Sequence, residues 1–284
     1  MGFKIIFYLY KVLSLYIYRN KFLKNFYFSK SDAIANLGYQ VDDPNDRNHA
    51  PTNLGTWSSV SDVDTFLRRF NHASAYKDGN NIKLRAGDYV TILDGTYNQV
   101  WEIAGFDMEH NQKAADGTTY DNGYGICLIP RTQVTTAKWN ESMTVKGGYK
   151  ASSMHNTHLP NIVSKLENVL GSHIVTRNAL LSSSVDSNYY SNNYTWTTSK
   201  ATLMSAGQMT GTFGSYSTKY DDGEANYKLP IFNSKNYYYA GNGFWTRGVC
   251  GNDDGGARYV DRNGDINVLI VIASCAVRPL IYLR

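Results

Sequence analysis

With 284 residues and 42% hydrophobic side chains, the chain carries enough apolar mass for one large domain with extra segments or two modest domains, which excludes global disorder. Charged residues reach only 18%, so the polar surface must come from uncharged groups, among them 23 Tyr and 24 Gly. The net charge of +4 is small and sits early, in Lys4, Lys11, Arg19, Lys21, Lys24 and Lys30 with no acid among them; the remainder is slightly acidic, and no nucleic-acid groove is expected there.

The first 28 residues differ from everything after them. The apolar run from Phe3 to Tyr18 is interrupted by Lys4 and Lys11. It falls short of the ~20 apolar residues of a spanning helix, and no A-x-A cleavage site follows it. Three readings stand: an extension outside the functional protein, a membrane or export segment, and a helix that packs on a partner. Residues 29–85 read as a polar lead-in with turn clusters at Asp42–Asp46 and Ala50–Asn53. One helix is expected between Ser61 and Ala75, capped by Ser61, with Asp62 and Asp64 in its first turn and Phe66, Leu67 and Phe70 as its apolar face.

From about Arg85 the texture becomes short strands and turns. Asp88–Leu93 and Gln99–Phe106 read as strands either side of the Asp94-Gly95 turn, and Tyr124–Pro130 as a third. Ser152–Leu170 is the best helical stretch, with Pro160 opening its second part. There Ile162, Val163, Leu166, Val169 and Leu170 recur at helical spacing up to Gly171. Ile174–Leu181, the Trp196 segment and a short helix around Ala201–Gln208 follow. Near the end, Arg258–Val260 and Asp265–Val268 flank Asp261-Arg262-Asn263-Gly264, and Asn-Gly is a strong hairpin signal. Val268–Ala273 is a continuous apolar run, as in a strand buried on both faces.

Tyr, Ser, Gly and Asn also dominate antibody contact loops, where rigid rings give contact area and small polar groups give adaptable hydrogen bonds. The same composition marks a turn-rich, extracellular-type β fold. Cys127, Cys250 and Cys275 are too few and too far apart for a zinc motif. Buried free thiols are expected; a Cys250–Cys275 disulfide has no supporting pattern. His155 and His158 stand at i, i+3 near a helix start, yet no acid or Cys follows at ligand spacing, so hydrogen-bonded packing is the expected role. Asn252-Asp253-Asp254 and Asp221-Asp222-Gly223-Glu224 read as solvated loops, since no calcium-loop spacing is present. No nucleophile elbow, phosphate loop or H-E-x-x-H occurs. Neither a metal nor a cofactor is expected.

Across residues 86–284 a series of pieces resembles phage-associated proteins of the C-type lectin fold, including targets of diversity-generating retroelements. The pieces run from Gly87-Asp88-Tyr89 and Val100-Trp101-Glu102-Ile103 through Met154-His155-Asn156-Thr157-His158-Leu159-Pro160 and Asn178-Ala179-Leu180-Leu181-Ser182. They continue with Trp196, Leu203-Met204-Ser205, Tyr220–Ala225 and Leu229–Phe232. Gly243-Phe244-Trp245-Thr246-Arg247, Ala257–Gly264 and Ala276-Val277-Arg278-Pro279-Leu280 close the series. Familiar members carry Phe-Trp-Leu-Arg where this chain has Phe-Trp-Thr-Arg, a departure that leaves the fold inference undisturbed.

The resemblance implies a mixed α+β, C-type-lectin-like domain of the formylglycine-generating-enzyme-like subtype, mounted by a small N-terminal module. It implies a non-enzymatic receptor-binding or variable-display protein of a phage or prophage tail, or of a bacterial cell surface. The partners would be a host cell-surface protein or glycan, other virion proteins and further copies of the chain. The implied ligand-binding residues are Trp245, Arg247, Asn252, Asp253, Asp254, Arg258, Tyr259, Asp261 and Asn263, with Trp245 and Tyr259 as anchors. Retroelement targets vary at adenine in Asn codons, and every residue of Asn267–Ala276 is reachable that way; on that reading Val268–Ile272 is partly exposed and forms an apolar patch. Two alternatives remain: a structural tail or baseplate component, and an oxidase that uses Cys250 and Cys275.

Overall fold

The computed structural model describes residues 51–69, 84–106, 108, 112–113, 118–123, 125–210, 228–233, 243–250 and 254–284. The apolar and basic segment 1–28 lies outside them. Among the described residues no helix is long and apolar enough to cross a membrane.

The architecture is α+β. In chain order the strands are β1 (Asn53–Trp57), β2 (Tyr89–Ile92), β3 (Gln99–Phe106), β4 (Gln112–Lys113), β5 (Thr119–Tyr120), β6 (Ile126–Pro130), β7 (Thr135–Lys138), β8 (Arg177–Val185), β9 (Ser191–Ser199), β10 (Ala201–Leu203), β11 (Phe244–Val249), β12 (Gly256–Val260), β13 (Ile266–Ile270), β14 (Ser274–Val277) and β15 (Pro279–Leu283). The α-helices are α1 (Val60–Arg69), α2 (Gly148–Ala151), α3 (Leu159–Leu170) and α4 (Ala206–Thr210). A six-stranded sheet runs β1-β2-β3-β6-β15-β10, and a five-stranded sheet runs β13-β12-β11-β14-β7. The hairpins β4–β5 and β8–β9 stand apart from both.

The long helical stretch forms in two pieces. A π-type turn over Met154–His158, with the Leu159 N–H donating to Met154 O, leads into α3, and Pro160, which has no N–H to donate, stands where the wider turn gives way to α-helix. Leu159, Ile162, Val163, Leu166, Val169 and Leu170 make one buried stripe. Gly171 ends the helix at φ +54, and a Cβ there would stand 3.0 Å from the Val60 side chain. The start of α1 therefore rests against the end of α3.

Over its described part, the chain before residue 86 packs on the main body. β1 pairs in parallel with β2, extending the six-stranded sheet. Trp57 and Phe66 pack with tilted rings 4.9 Å apart and join the main core beside Val63. The buried Asp88 carboxylate accepts from the N–H groups of Thr52 and Arg85, both at 2.8 Å. His173 holds Asp64 of α1 at 2.6 Å through Nε2 and approaches the Arg284 main-chain oxygen at 3.0 Å through Nδ1.

The chain passes from the five-stranded to the six-stranded sheet at Arg278, between β14 and β15. Its guanidinium is fully buried, donates from Nε to the Pro130 carbonyl at 3.0 Å and lies 4.8 Å from the Phe244 ring centroid. Burial pulls its pKa down to about 10 against the opposing pull of Glu102. Glu102 in turn binds Arg131 at 2.7 Å, and Arg131 stacks over Tyr89 at 4.4 Å. An isolated buried charge would be too costly to keep, so an acid close to Arg278 is what this crossing requires.

Two sequence expectations fail here. Ala201–Gln208 is not one helix: Ala201–Leu203 is strand β10, paired with β15, and the helix starts at Ala206. Val268–Ala273 is not a strand buried on both faces. β13 ends at Ile270, Val271 turns inward, and the turn closes with Ala273 N–H donating to Ile270 O at 2.9 Å.

Candidate functional site

The C-terminal strands expected to carry recognition form the core of the five-stranded sheet and its outer edge. β11 is an inner strand with every residue buried. Trp245 is 0% exposed; its indole N–H donates to the Ala137 carbonyl at 2.8 Å, and its ring meets Tyr259 edge-on at 6.3 Å. Trp139 donates to the Thr246 carbonyl at 3.0 Å, so two indoles tie β7 and its exit to β11. Arg247 and Arg258 are also buried. The three residues Trp245, Arg247 and Arg258 are thus corrected from surface contacts to internal supports. The physical reason is position: in a strand flanked on both sides and packed on both faces, alternation does not bring any residue to solvent.

The other expected residues lie further out. Tyr259 is half-buried, beside Trp245. Asp254 is half-buried, and its Oδ1 accepts from Thr144 Oγ1 at 2.8 Å. Asn252 and Asp253 lie outside the described residues. Asp261 and Asn263 belong to the β12–β13 turn, where Arg262 and Asn263 are exposed.

That turn differs from the one the Asn-Gly pair suggests. Only Gly264 has positive φ, at +88. Gly264 N–H donates to Asp261 O at 3.0 Å, and Asp261 N–H to Asp265 O at 2.8 Å. This is a type I turn with a glycine bulge, a three-residue loop in place of the two-residue form. The Asp261 carboxylate accepts from the N–H groups of Asn263 (2.8 Å) and Asp265 (3.0 Å) and from Asn267 Nδ2 (2.9 Å). The Asp265 N–H, followed by those other donors, holds its pKa below the usual carboxylate value. Asp261 therefore shapes the loop, and Arg262, Asn263 and the rim of Tyr259 are what it presents.

Beside the turn, Val268, Ile270 and Ile272 are 47%, 45% and 37% exposed. Val268 and Ile270 lie on β13 at the sheet edge and Ile272 in the turn after it, while Val271 between them is buried.

His155 and His158 do not converge on a shared centre. The His155 ring packs 5.4 Å from Tyr149, and burial lowers its pKa to about 4; His158 faces Glu141 at 3.4 Å. Among the described residues no group of three or more His, Cys, Asp and Glu is placed to hold a metal ion. His155 also lines a groove of about 350 Å³ between α3 and the β9–β10 connection, with the Lys200–Glu167 pair (2.5 Å) on its wall.

The three cysteines are free. Cys275 Sγ donates to the Gly243 carbonyl at 3.0 Å, and burial pushes its pKa up to about 11. A thiol so held is protonated at neutral pH and a poor nucleophile.

One surface feature had no signal in the sequence beyond aromatic content. Trp196 on β9 and Tyr120 on β5 face each other at 5.7 Å, and the indole N–H donates to Thr118 Oγ1 at 3.2 Å. Tyr120 is 41% exposed, and Trp196 is the one tryptophan of five outside the buried set. Their strands are remote in sequence, so only the fold pairs them.

No family model, curated protein or solved structure matches the chain.

Proposed function

We propose that this α+β body is of the C-type-lectin type and that the chain is a non-enzymatic ligand-binding protein, a phage or prophage tail adhesin that presents its C-terminal hairpin to a cell-surface protein or glycan. One observation carries the reading: a polar turn, Arg262–Gly264, stands exposed on strands whose interior is fixed by Trp245, Arg247 and Arg258. A preorganised loop on a rigid scaffold loses little entropy when it binds. The Asp261 hydrogen bonds supply that order from within the loop. The protonated, hydrogen-bonded thiol of Cys275 weighs against the oxidase alternative.

The test is binding of the fluorescently labelled chain to a panel of bacterial cells and to a glycan array. A chain carrying Tyr259→Ala, Arg262→Ala and Asn263→Ala together should lose about tenfold or more of its binding while keeping its circular dichroism. Binding that survives all three changes, or no binding to any cell or glycan, overturns the reading. The exposure of Val268, Ile270 and Ile272 favours a second reading, a tail or baseplate component whose lectin-like body serves assembly. Cross-linking to neighbouring virion proteins in the absence of cell or glycan binding would support it.

A further inference from the structure

Among the described strands β13 pairs with β12 alone and closes the five-stranded sheet. The phase of its ladder follows from its two ends. Asp261 N–H donates to Asp265 O, and Val271 N–H donates to Gly255 O. With Tyr259 opposite Asn267 and Ala257 opposite Leu269, residues 265, 267, 269 and 271 turn their peptide groups toward β12. The N–H and C=O groups of Ile266, Val268 and Ile270 therefore point outward from the sheet. The side chains of these three residues, two apart in a strand, share one face.

Edges of this kind template pairing with another chain unless charge, proline or a bulge blocks them. Ile266–Ile270 contains no charged residue and no proline. Its bulge lies at Gly264, before the strand begins.

We propose that the β13 edge pairs with the β13 edge of a second copy of this chain, antiparallel, about a twofold axis through Val268. The outward-facing residues Ile266, Val268 and Ile270 read nearly the same in either direction. The axis sets Val268 against Val268 of the second copy, and Ile266 against Ile270 of the second copy. Each of these three residue pairs is of the hydrogen-bonded kind, with two backbone hydrogen bonds per pair. Ile and Val become cross-strand neighbours on one face, the pairing that β-branched residues favour.

Charge fits the same arrangement. Asp265 falls opposite Val271 of the other copy and Asp261 lies beyond the paired stretch, so like charges do not face each other. The strand is short, and the area it covers falls well below the ~1,200 Å² of a standard interface. The pairing is thus weak and reversible. It merges two five-stranded sheets and leaves both Arg262–Gly264 turns free, so it stands independently of the ligand-binding reading.

The test is sedimentation velocity of the purified full chain over about 1–500 µM, with hydrogen exchange at both extremes. A monomer–dimer equilibrium is expected. The amides of Ile266, Val268 and Ile270 should gain protection at high concentration, while those of Asn267 and Leu269 are protected throughout. Val268→Lys, which places two ammonium groups on the axis, should weaken dimerisation by about tenfold or more. Val268→Pro removes an outward N–H without touching the β12 ladder and should weaken it likewise. Val268→Thr keeps a β-branched side chain and should stay within about threefold of the parent. Circular dichroism and thermal melts show whether each variant is folded.

A chain monomeric at every concentration overturns the proposal, as does a dimer that Val268→Lys leaves unchanged. Protection of the same three amides only when a different protein is added, in a chain monomeric alone, assigns the edge to a foreign strand and also overturns it.

Discussion

The imidazole of His155 sits against the Tyr149 ring, and its Nδ1 finds no hydrogen-bond partner, so protonation there has nothing to offset the loss of water. Burial, reinforced by the positive charge of Lys150, lowers its pKa from 6.5 to about 4. The folded state thus refuses a proton that the unfolded chain accepts. Stability from this residue is complete above pH 6.5, declines as the pH falls toward 4, and changes no further below that. Integrated from pH 7 to pH 5, the loss is about 2 kcal/mol. The assay is urea unfolding at both pH values for the parent and for His155→Phe, which keeps a ring against Tyr149 but cannot titrate. The parent should lose about 2 kcal/mol more than the variant on acidification. Equal losses in the two proteins would refute the assignment of this proton to His155.

Two other predictions follow from the fold. Trp57→Ala removes a ring that packs on Phe66 in the main core and should cost about 3–5 kcal/mol in chemical denaturation; a change near zero would mean that β1 and α1 add nothing to the stability of the main body. Asp261→Ala removes the acceptor for two turn N–H groups, and hydrogen exchange at Asn263 and Asp265 should quicken about tenfold; unchanged exchange would mean that the glycine bulge alone holds the loop.

Much of the fold was legible where pattern and length agree. The buried stripe of α3 and the strands β2 and β3 appear where periodicity places them, because a helix or strand with one apolar face has few other ways to bury it. The failures have a common physical cause. Val268–Ala273 is apolar throughout, and such a run carries no phase; it cannot say that the strand stops at Ile270 or that the sheet ends there. The Trp-x-Arg pattern of β11 looked like recognition because such side chains anchor interfaces, yet the same side chains fill cores when a carbonyl or an acid is at hand. The Asn-Gly signal located the hairpin but not its loop, since Asp261 reorganises the turn by accepting two of its N–H groups. Tyr120 and Trp196 were beyond reach, because nothing local links β5 to β9.

β15 lies between β6 and β10, an inner strand of the six-stranded sheet built from residues 279–283. Among the described strands it is the last in chain order. Until it arrives, β10 lacks its neighbour and β6 keeps a bare flank, so the halves of that sheet stay unjoined while synthesis continues. Closing such distant partners is slow, and the nascent chain must spend that interval with apolar strands uncovered. A ribosome stalled just before Pro279 would hold a chain in which β6 and β10 are both made and the strand that joins them is still missing.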